Sequence, residues 1–207
     1  MIRSDMLKTV LMAAALACTF ASSQAAETAP ATGGLTPFVG IGLTYGGDQI
    51  GDEINYTNGD SSTIRGGGLV DLRAGLEYQA IGSPLSVQLS VSYHVDDTLA
   101  AKNGSARFSR TPIEALMHWR ASESWRFGGG LRKALGAQTK SSGLGSGYVA
   151  DQKYTASTGI VLEAETFFGP RFGLKLRAVS EEYTPETRTQ DKVDGSHLGV
   201  IGVYYFK

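Results

Sequence analysis

The chain has 207 residues, of which 19 are basic and 20 acidic, so its formal charge is −1 with neutral histidines. This balance excludes a protein that binds nucleic acid through bulk positive charge, and a single cysteine excludes a disulfide framework or a Cys-based zinc cluster. Glycine occupies 27 positions, which argues against long helices, because Gly in a helix interior costs about 1 kcal/mol relative to Ala.

The first segment has the pattern of a secretory signal peptide. Arg3 and Lys8 precede an apolar run over 10–17, and small residues follow up to a cleavage-site pattern that ends at Ala25. A membrane anchor is the alternative, but a spanning helix needs about 20 apolar residues. A lipoprotein that is lipidated at Cys18 is a second alternative. The three residues before this cysteine, Ala15-Leu16-Ala17, do not begin with the leucine that is typical of a lipoprotein lipobox. We expect a signal peptide at 1–25, a linker at 26–34 and Sec-dependent export.

Apolar and polar residues alternate with a period of two through the rest of the chain. This period predicts β-strands with one apolar and one polar face, because successive strand side chains point to opposite sides. Pro112 predicts an irregular strand start or a bulge at that point. Eight strands are predicted, at about 39–45, 70–78, 85–95, 113–120, 125–132, 160–165, 172–178 and 198–206.

The connections between these strands alternate in length. Long polar connections at 47–65, 96–107, 136–152 and 184–196 are separated by short ones at 80–84, 121–124 and 169–171. An even number of antiparallel strands with short turns at one end and long loops at the other is typical of outer-membrane barrels. The sequence therefore predicts an all-β, eight-stranded antiparallel up-and-down transmembrane barrel over 35–207, with solvated loops rich in Gly, Ser, Asn and Asp.

The aromatic residues indicate which face looks toward lipid. A soluble lipocalin-like ligand-binding barrel in the periplasm, the competing interpretation, would turn its apolar face inward. A membrane barrel instead carries aromatic girdles at both interfaces, and the aromatic residues here fall near the two ends of the predicted strands. The predicted girdles consist of Tyr45, Tyr93 and Tyr154 at the long-loop end and Tyr78, Trp119, Trp125, Phe168, Phe172, Tyr204 and Phe206 at the other.

The opposite face carries charges of both signs together with glycines. On the lipid side a Lys or Arg would cost about 2 to 4 kcal/mol at the membrane midplane, whereas inside the lumen opposite charges can pair. We therefore predict a lumen salt-bridge network. Its predicted members are Asp71, Arg73, Glu77, Glu114, His118, Arg120, Arg126, Arg132, Glu163, Glu165, Lys175 and Arg177.

The last predicted strand places Leu198, Val200, Gly202, Tyr204 and Phe206 on one face. In strand number, loop asymmetry and this terminal pattern, residues 35–207 resemble the small bacterial outer-membrane proteins of the OmpA transmembrane-domain and OmpX type. The resemblance implies an outer-membrane location, lipid and lipopolysaccharide as surroundings, and assembly by the barrel-assembly machinery through the C-terminal strand. It leaves the activity open; we expect a monomer.

Candidate chemistry is sparse. His94 beside Asp96 and Asp97 has the composition of a general base with carboxylates, as in a lipid A or phospholipid modifying enzyme. The same residues also fit a polar lumen position followed by the start of a loop. We expect no cofactor or metal, since the three histidines lie on separate strands. The favoured prediction is a non-enzymatic structural or surface-interaction barrel.

Basic residues near the long-loop end form the last candidate set. They can contact lipopolysaccharide phosphates as point charges, or they can be ordinary solvated cations. The set consists of Lys102, Arg107, Lys133, Lys140 and Lys153.

Overall fold

A computed structural model describes residues 33–55, 59, 61–98, 104–187 and 190–207. The predicted signal peptide, most of the linker and Lys102 lie outside these residues. The described part of the chain folds into β-strands with one 3-10 turn, η1 (Leu144–Gly147). None of its helical segments is long and apolar enough to cross a membrane.

The described residues form thirteen strands. They are β1 (Gly34–Gly46), β2 (Gln49–Asn55), β3 (Ser61–Arg65), β4 (Leu69–Gln79), β5 (Leu85–Asp97), β6 (Gly104–Arg120), β7 (Trp125–Gly143), β8 (Gln152–Ala156), β9 (Thr158–Phe167), β10 (Phe172–Ser180), β11 (Glu182–Pro185), β12 (Val193–Asp194) and β13 (His197–Tyr205). Two barrel strands are interrupted once, β8–β9 at Ser157 and β10–β11 at Glu181.

The eight antiparallel barrel strands are β1, β4, β5, β6, β7, β8–β9, β10–β11 and β13, and each pairs with the next in this order. The pairing of β1 with β13, in which Val39 faces Tyr204, closes the barrel. The predicted eight-stranded up-and-down barrel is confirmed.

Pro112 itself pairs in register with Ala134 and β6 begins earlier, at Gly104, so the predicted irregular strand start is wrong. A shift of register does lie nearby, between Ser109 and Thr111 where β6 pairs with β7.

The pleat separates the side chains as a membrane barrel requires. Leu72 and Val87 point outward and are 45% and 43% exposed, whereas Arg73 and Lys175 point inward and are 4% and 0% exposed. A soluble barrel with an apolar lumen and a charged exterior needs the reverse arrangement, so this alternative is wrong for the observed fold.

The lumen is filled by side chains of mixed character. Phe38, Ile201, Val203 and Tyr205 form an apolar cluster near the short-turn end, beside buried charged groups. Close packing explains why small residues occur on the inward face: a Cβ atom at Gly128 would overlap the imidazole ring of His118. The barrel interior is therefore a packed core.

The prediction that the long connections are solvated loops is wrong for much of their length. β6 and β7 extend above the belt of outward apolar side chains, and the first long connection contains the β2–β3 hairpin. Apolar side chains from these segments pack into one cluster, which we call the cap core. It consists of Ile50, Ile54, Ile64, Ala106, Phe108, Ala134, Ala137, Val149, Tyr154, Ala156 and Tyr183. The loops fold because these scattered side chains bury one another over the barrel mouth.

Candidate functional site

The centre of the lumen is a buried ion-pair network around Glu114 of β6. Its carboxylate oxygens accept hydrogen bonds from Arg73 at 3.0 Å, Arg132 at 2.9 Å and Arg177 at 2.7 Å. Arg73 also pairs with Asp71 at 2.8 Å. The network joins β4, β6, β7 and β10, so it ties together strands that are not all neighbours in the sheet.

A second group of ion pairs lies closer to the short-turn end. Arg126 donates to Glu165 at 2.7 Å, to the hydroxyl of Tyr205 at 2.5 Å and to Glu77. The Tyr205 hydroxyl in turn donates to Glu165 at 2.7 Å. A charge without these partners would be costly at such a buried position, and the shared hydrogen bonds offset that cost.

Lys175 lies between the two groups: its ammonium is 3.7 Å from Glu165 of the second group, and its partner Glu163 is 3.6 Å from Arg177 of the first. Its ammonium donates to Glu163 and, at 2.8 Å, to the side-chain oxygen of Gln88. His118 Nε2 lies 2.6 Å from Glu163 Oε1. Gln88 was not among the predicted members of the salt-bridge network, although it lies on the same inward face of β5 as Ser86.

The buried charges nearly balance. Among the described residues, six cationic side chains and seven carboxylates are buried. They are Arg73, Arg110, Arg126, Arg132, Lys175 and Arg177 against Asp71, Glu77, Asp96, Glu114, Glu163, Glu165 and Glu181. Such near-neutrality suits a network whose members compensate one another, and it leaves no large charge to attract a counter-ion.

The structure does not bring His94, Asp96 and Asp97 together as a catalytic group. His94 is fully buried, and its two ring nitrogens face Thr44 at 2.7 Å, Arg110 at 3.0 Å and Arg132 at 3.0 Å. Asp96 accepts a hydrogen bond from the backbone N–H of Arg65 at 2.8 Å.

Asp97 lies on the outward side of the same strand. Its carboxylate pairs with the exposed guanidinium of Arg107 at 2.6 Å. The two aspartates therefore have partners of their own, and neither is among the hydrogen-bond partners of His94 in the described part of the chain.

Arg110 lies between the ion-pair network and the cap core. Its guanidinium carbon lies 4.9 Å from the ring centre of Phe108 and 5.8 Å from that of Tyr183. One Nη donates to the Gly68 carbonyl at 3.1 Å. Burial raises the pKa of Tyr183, and also that of Tyr154 in the same cap core, so both phenols stay neutral.

Sequence reasoning missed three polar residues at this level, Arg110, Glu181 and His197. His197 lies edge-on to His94, with ring centres 5.0 Å apart, and Glu181 accepts from Arg132 at 3.1 Å. The signal was available: Ala106, Phe108 and Arg110 continue the period-two alternation of β6 before the strand predicted at 113–120, and Ala106 lies within the connection predicted at 96–107.

Two predicted assignments are corrected by the structure. Arg120 faces inward at the short-turn mouth and is only half-buried. Its guanidinium carbon lies 5.2 Å from the ring centre of Phe167, and no carboxylate pairs with it among the described residues. Tyr154 does not belong to the girdle at the long-loop end, because β8 rises above the apolar belt. It is 5% exposed in the cap core, and its ring centre lies 5.4 Å from that of Phe108.

The other girdle residues lie on the outward face. Tyr45 and Tyr93 are exposed at the long-loop end, and Tyr78, Trp119, Trp125, Phe168, Phe172 and Phe206 are exposed at the other end. Tyr204 is half-buried between Phe172 and Phe206, with ring centres 5.0 Å from each. The short-turn girdle is thus nearly continuous, whereas the long-loop girdle is sparse.

The described basic candidates lie on β6, β7 and β8. Arg107 faces Lys140 directly across the β6–β7 pair, and Lys153 faces Gln138 on the next pair. Lys140 and Lys153 are exposed. Lys133 is half-buried lower down, where its ammonium donates to the Ala156 carbonyl at 2.5 Å.

Comparisons with known proteins give structural similarity only. No family model and no curated protein matches the chain. The chain is similar to Ail, the attachment invasion locus protein of Yersinia pestis, at 13% identity and a TM-score of 0.49 over 83% of this chain and 96% of that chain. It is also similar to Neisserial surface protein A, at 10% identity and a TM-score of 0.44 over 83% and 94% of the two chains. A third similar structure is the outer membrane protein AlkL in lipid bilayers, at 10% identity and a TM-score of 0.38 over 90% and 96%.

Proposed function

We propose that the protein is an integral outer-membrane barrel of structural or surface-interaction type, with a sealed lumen and a folded extracellular cap. The observation that carries this proposal is the separation of side chains: exposed apolar residues cover the outer wall, and the charged residues pair inside it. An outer surface of this kind is stable in hydrocarbon and would aggregate in water.

The cap supports a role in surface interaction. Its apolar core holds the long connections in fixed positions above the membrane, so a partner would meet a preformed surface. The ordered hairpin β2–β3 and the upper parts of β6 and β7 are its framework. A general pore is disfavoured, since both the cap core and the ion-pair network occupy the axis.

Lipopolysaccharide is the proposed partner at the membrane edge. Arg107 and Lys140 are direct cross-strand neighbours, an arrangement of like charges that destabilises a sheet unless an anion lies nearby. Asp97 meets this need for Arg107, while phosphate groups would meet it for Lys140 and Lys153.

The proposal has no enzymatic component. Each nitrogen of His94 is occupied by neighbouring groups of the lumen wall, and the residue is closed off from the surface. Substitution of His94 by Ala should therefore leave the lipid A mass spectrum of the host unchanged. A changed pattern of acyl chains or phosphates would favour the lipid-modifying enzyme instead.

Assembly is proposed to follow the route of outer-membrane barrels. After Sec-dependent export as a monomer, the barrel-assembly machinery would engage β13, whose outward aromatic residue Tyr204 is followed by Phe206. Truncation of the last two residues should lower the amount of folded barrel in the membrane without affecting export to the periplasm.

Cell fractionation tests the location directly. The protein should sediment with outer membranes, resist extraction by sodium carbonate, and migrate faster on a gel when it is not boiled. A tag inserted after Gly59 should be accessible to antibody on intact cells, whereas one inserted at the short turn at Gly82 should not be. Release with the periplasmic fraction would contradict the proposal.

A further inference from the structure

A shallow groove lies on the outward face of the barrel across β4 to β7. The groove there has a volume of about 550 Å³, apolar side chains line most of it, and Lys133 and Thr158 stand at its upper end. Ala74 and Ala115 are the smallest outward side chains of its lining, among larger aliphatic ones. The groove faces the membrane and so is accessible to lipid.

Two adjacent rows of cross-strand partners build the groove. The lower row consists of Leu76, Leu89, Ala115 and Leu131, and the upper row of Ala74, Val91, Ile113 and Lys133. The upper row continues to the exposed Thr158 on β9. One wall of small and branched side chains therefore ends at Lys133 and its cross-strand partner Thr158.

Lys133 is unusual in its position. Among the outward side chains of these two rows it is the one charged residue. A Lys on the lipid face costs about 2 to 4 kcal/mol at the midplane and about 0 to 1 kcal/mol near the interface. Its side chain extends toward the long-loop end, where Nζ donates to the Ala156 carbonyl at 2.5 Å. An ammonium has three donors, so further donors remain for an anionic group.

We propose that this groove and Lys133 form a binding site for one molecule of lipid A. An acyl chain lies against Ala74 and Ala115, and a phosphate accepts hydrogen bonds from Lys133 Nζ and Thr158 Oγ1. The charge at the end of the groove selects an anionic headgroup. The inference rests on the proposed outer-membrane location, because the long-loop end then faces the outer leaflet, which consists of lipid A.

Native mass spectrometry of the purified barrel in detergent tests the site. The probes are bisphosphorylated lipid A, dephosphorylated lipid A and phosphatidylglycerol. We expect the wild-type protein to retain bisphosphorylated lipid A in preference to the other two. Lys133→Ala should weaken this binding by about tenfold, as for loss of a charge-assisted hydrogen bond, while Lys133→Arg should retain it.

The apolar half of the site has a matched pair of variants. Ala115→Leu fills the groove and should weaken binding, whereas Ala178→Leu adds the same side chain on the outward face of β10 and should not. All variants should keep the gel shift of a folded barrel. Unchanged binding in Lys133→Ala, equal effects of the two leucine substitutions, or equal retention of phosphatidylglycerol would overturn the assignment.

These outcomes distinguish failure of the proposed lipid A site from failure of the proposed outer-membrane function. If the site is wrong, the protein still fractionates with outer membranes and Lys133→Ala binds as the wild type does. If the proposed function is wrong, fractionation fails before any lipid is tested.

Discussion

At the scale of single residues, Glu114 is the position on which the lumen network most depends. Its carboxylate bridges Arg73, Arg132 and Arg177. Glu114→Gln would leave three buried guanidinium groups without their shared negative charge. Removing one partner of a buried ion pair costs about 3 to 5 kcal/mol, so we expect a loss of this size in the free energy of unfolding. Urea unfolding in detergent micelles, followed by gel mobility, measures it.

An exposed ion pair supplies the control. Lys192 and Glu182 lie 2.7 Å apart with side chains 58% and 26% exposed. Lys192→Gln should change the free energy of unfolding by less than about 1 kcal/mol, since solvent already screens this pair. If the two substitutions had equal effects, the lumen network would not be the stabilising element that its geometry indicates.

The lumen residues also show what the sequence could predict: the face on which each side chain lies, but not its ion-pair partner. Alternation assigned Arg73, Glu114 and Lys175 to one face, because side-chain direction in a strand depends only on parity. The partners could not be predicted in the same way. Arg126 and Glu77 are 49 positions apart and meet across the lumen only because of how the strands are staggered around the barrel.

At the scale of elements, the cap core should be separable from the barrel. Phe108 is fully buried between Tyr154 and Tyr183, with ring centres 5.4 Å and 5.2 Å away. Phe108→Ala would remove contacts worth about 3 to 5 kcal/mol from a well-packed site. We expect faster proteolysis and faster amide exchange in the connections, while the gel shift of the folded barrel persists.

Leu144 is the matched control for the cap. It lies on the η1 turn and is 39% exposed, so Leu144→Ala should leave proteolysis of the cap unchanged. Loss of the folded barrel in Phe108→Ala would contradict the separation, because it would make the cap core part of the same cooperative unit as the wall.

At the register shift between β6 and β7, Ser109 faces Gln138 and Thr111 faces Leu135, so β7 carries one extra residue as a bulge there. Gly136 has a φ of 60°, and no atom lies within 4 Å of a Cβ built there. Gly136→Ala should therefore destabilise the fold through conformation alone, by about 1 to 2 kcal/mol. Gly147→Ala also meets open space but has no such φ, and should be close to neutral. Unfolding midpoints of the two variants compare these effects.

The elements explain why the barrel was predictable and the cap was not. Each wall strand carries a regular alternation that belongs to its own sequence, and the strand order follows from consecutive pairing. The cap core instead collects residues such as Ile50 and Tyr183 from distant segments, and each of these is a single apolar residue between polar or glycine neighbours. Only the folded barrel brings these positions together, so no local pattern indicates them.

At the scale of the whole molecule, polarity is arranged in concentric and stacked layers. Apolar side chains surround the wall, ion pairs fill its centre, and the cap core closes its upper end. Arg110 joins the last two layers through its contacts with His94 and Phe108. The membrane and the aqueous surface thus meet different parts of one continuous packed interior.

This layering predicts that the barrel does not conduct ions. A permeating ion would have to lose water and break pairs such as Arg132–Glu114, at a desolvation cost of several kcal/mol per ion. Purified protein in planar bilayers should show no stepwise current. The Phe108→Ala variant should also show no current, because opening the cap leaves the ion-pair network around Glu114 in place. Conduction by the wild type would contradict a sealed lumen, and conduction by Phe108→Ala alone would place the seal in the cap rather than among the ion pairs.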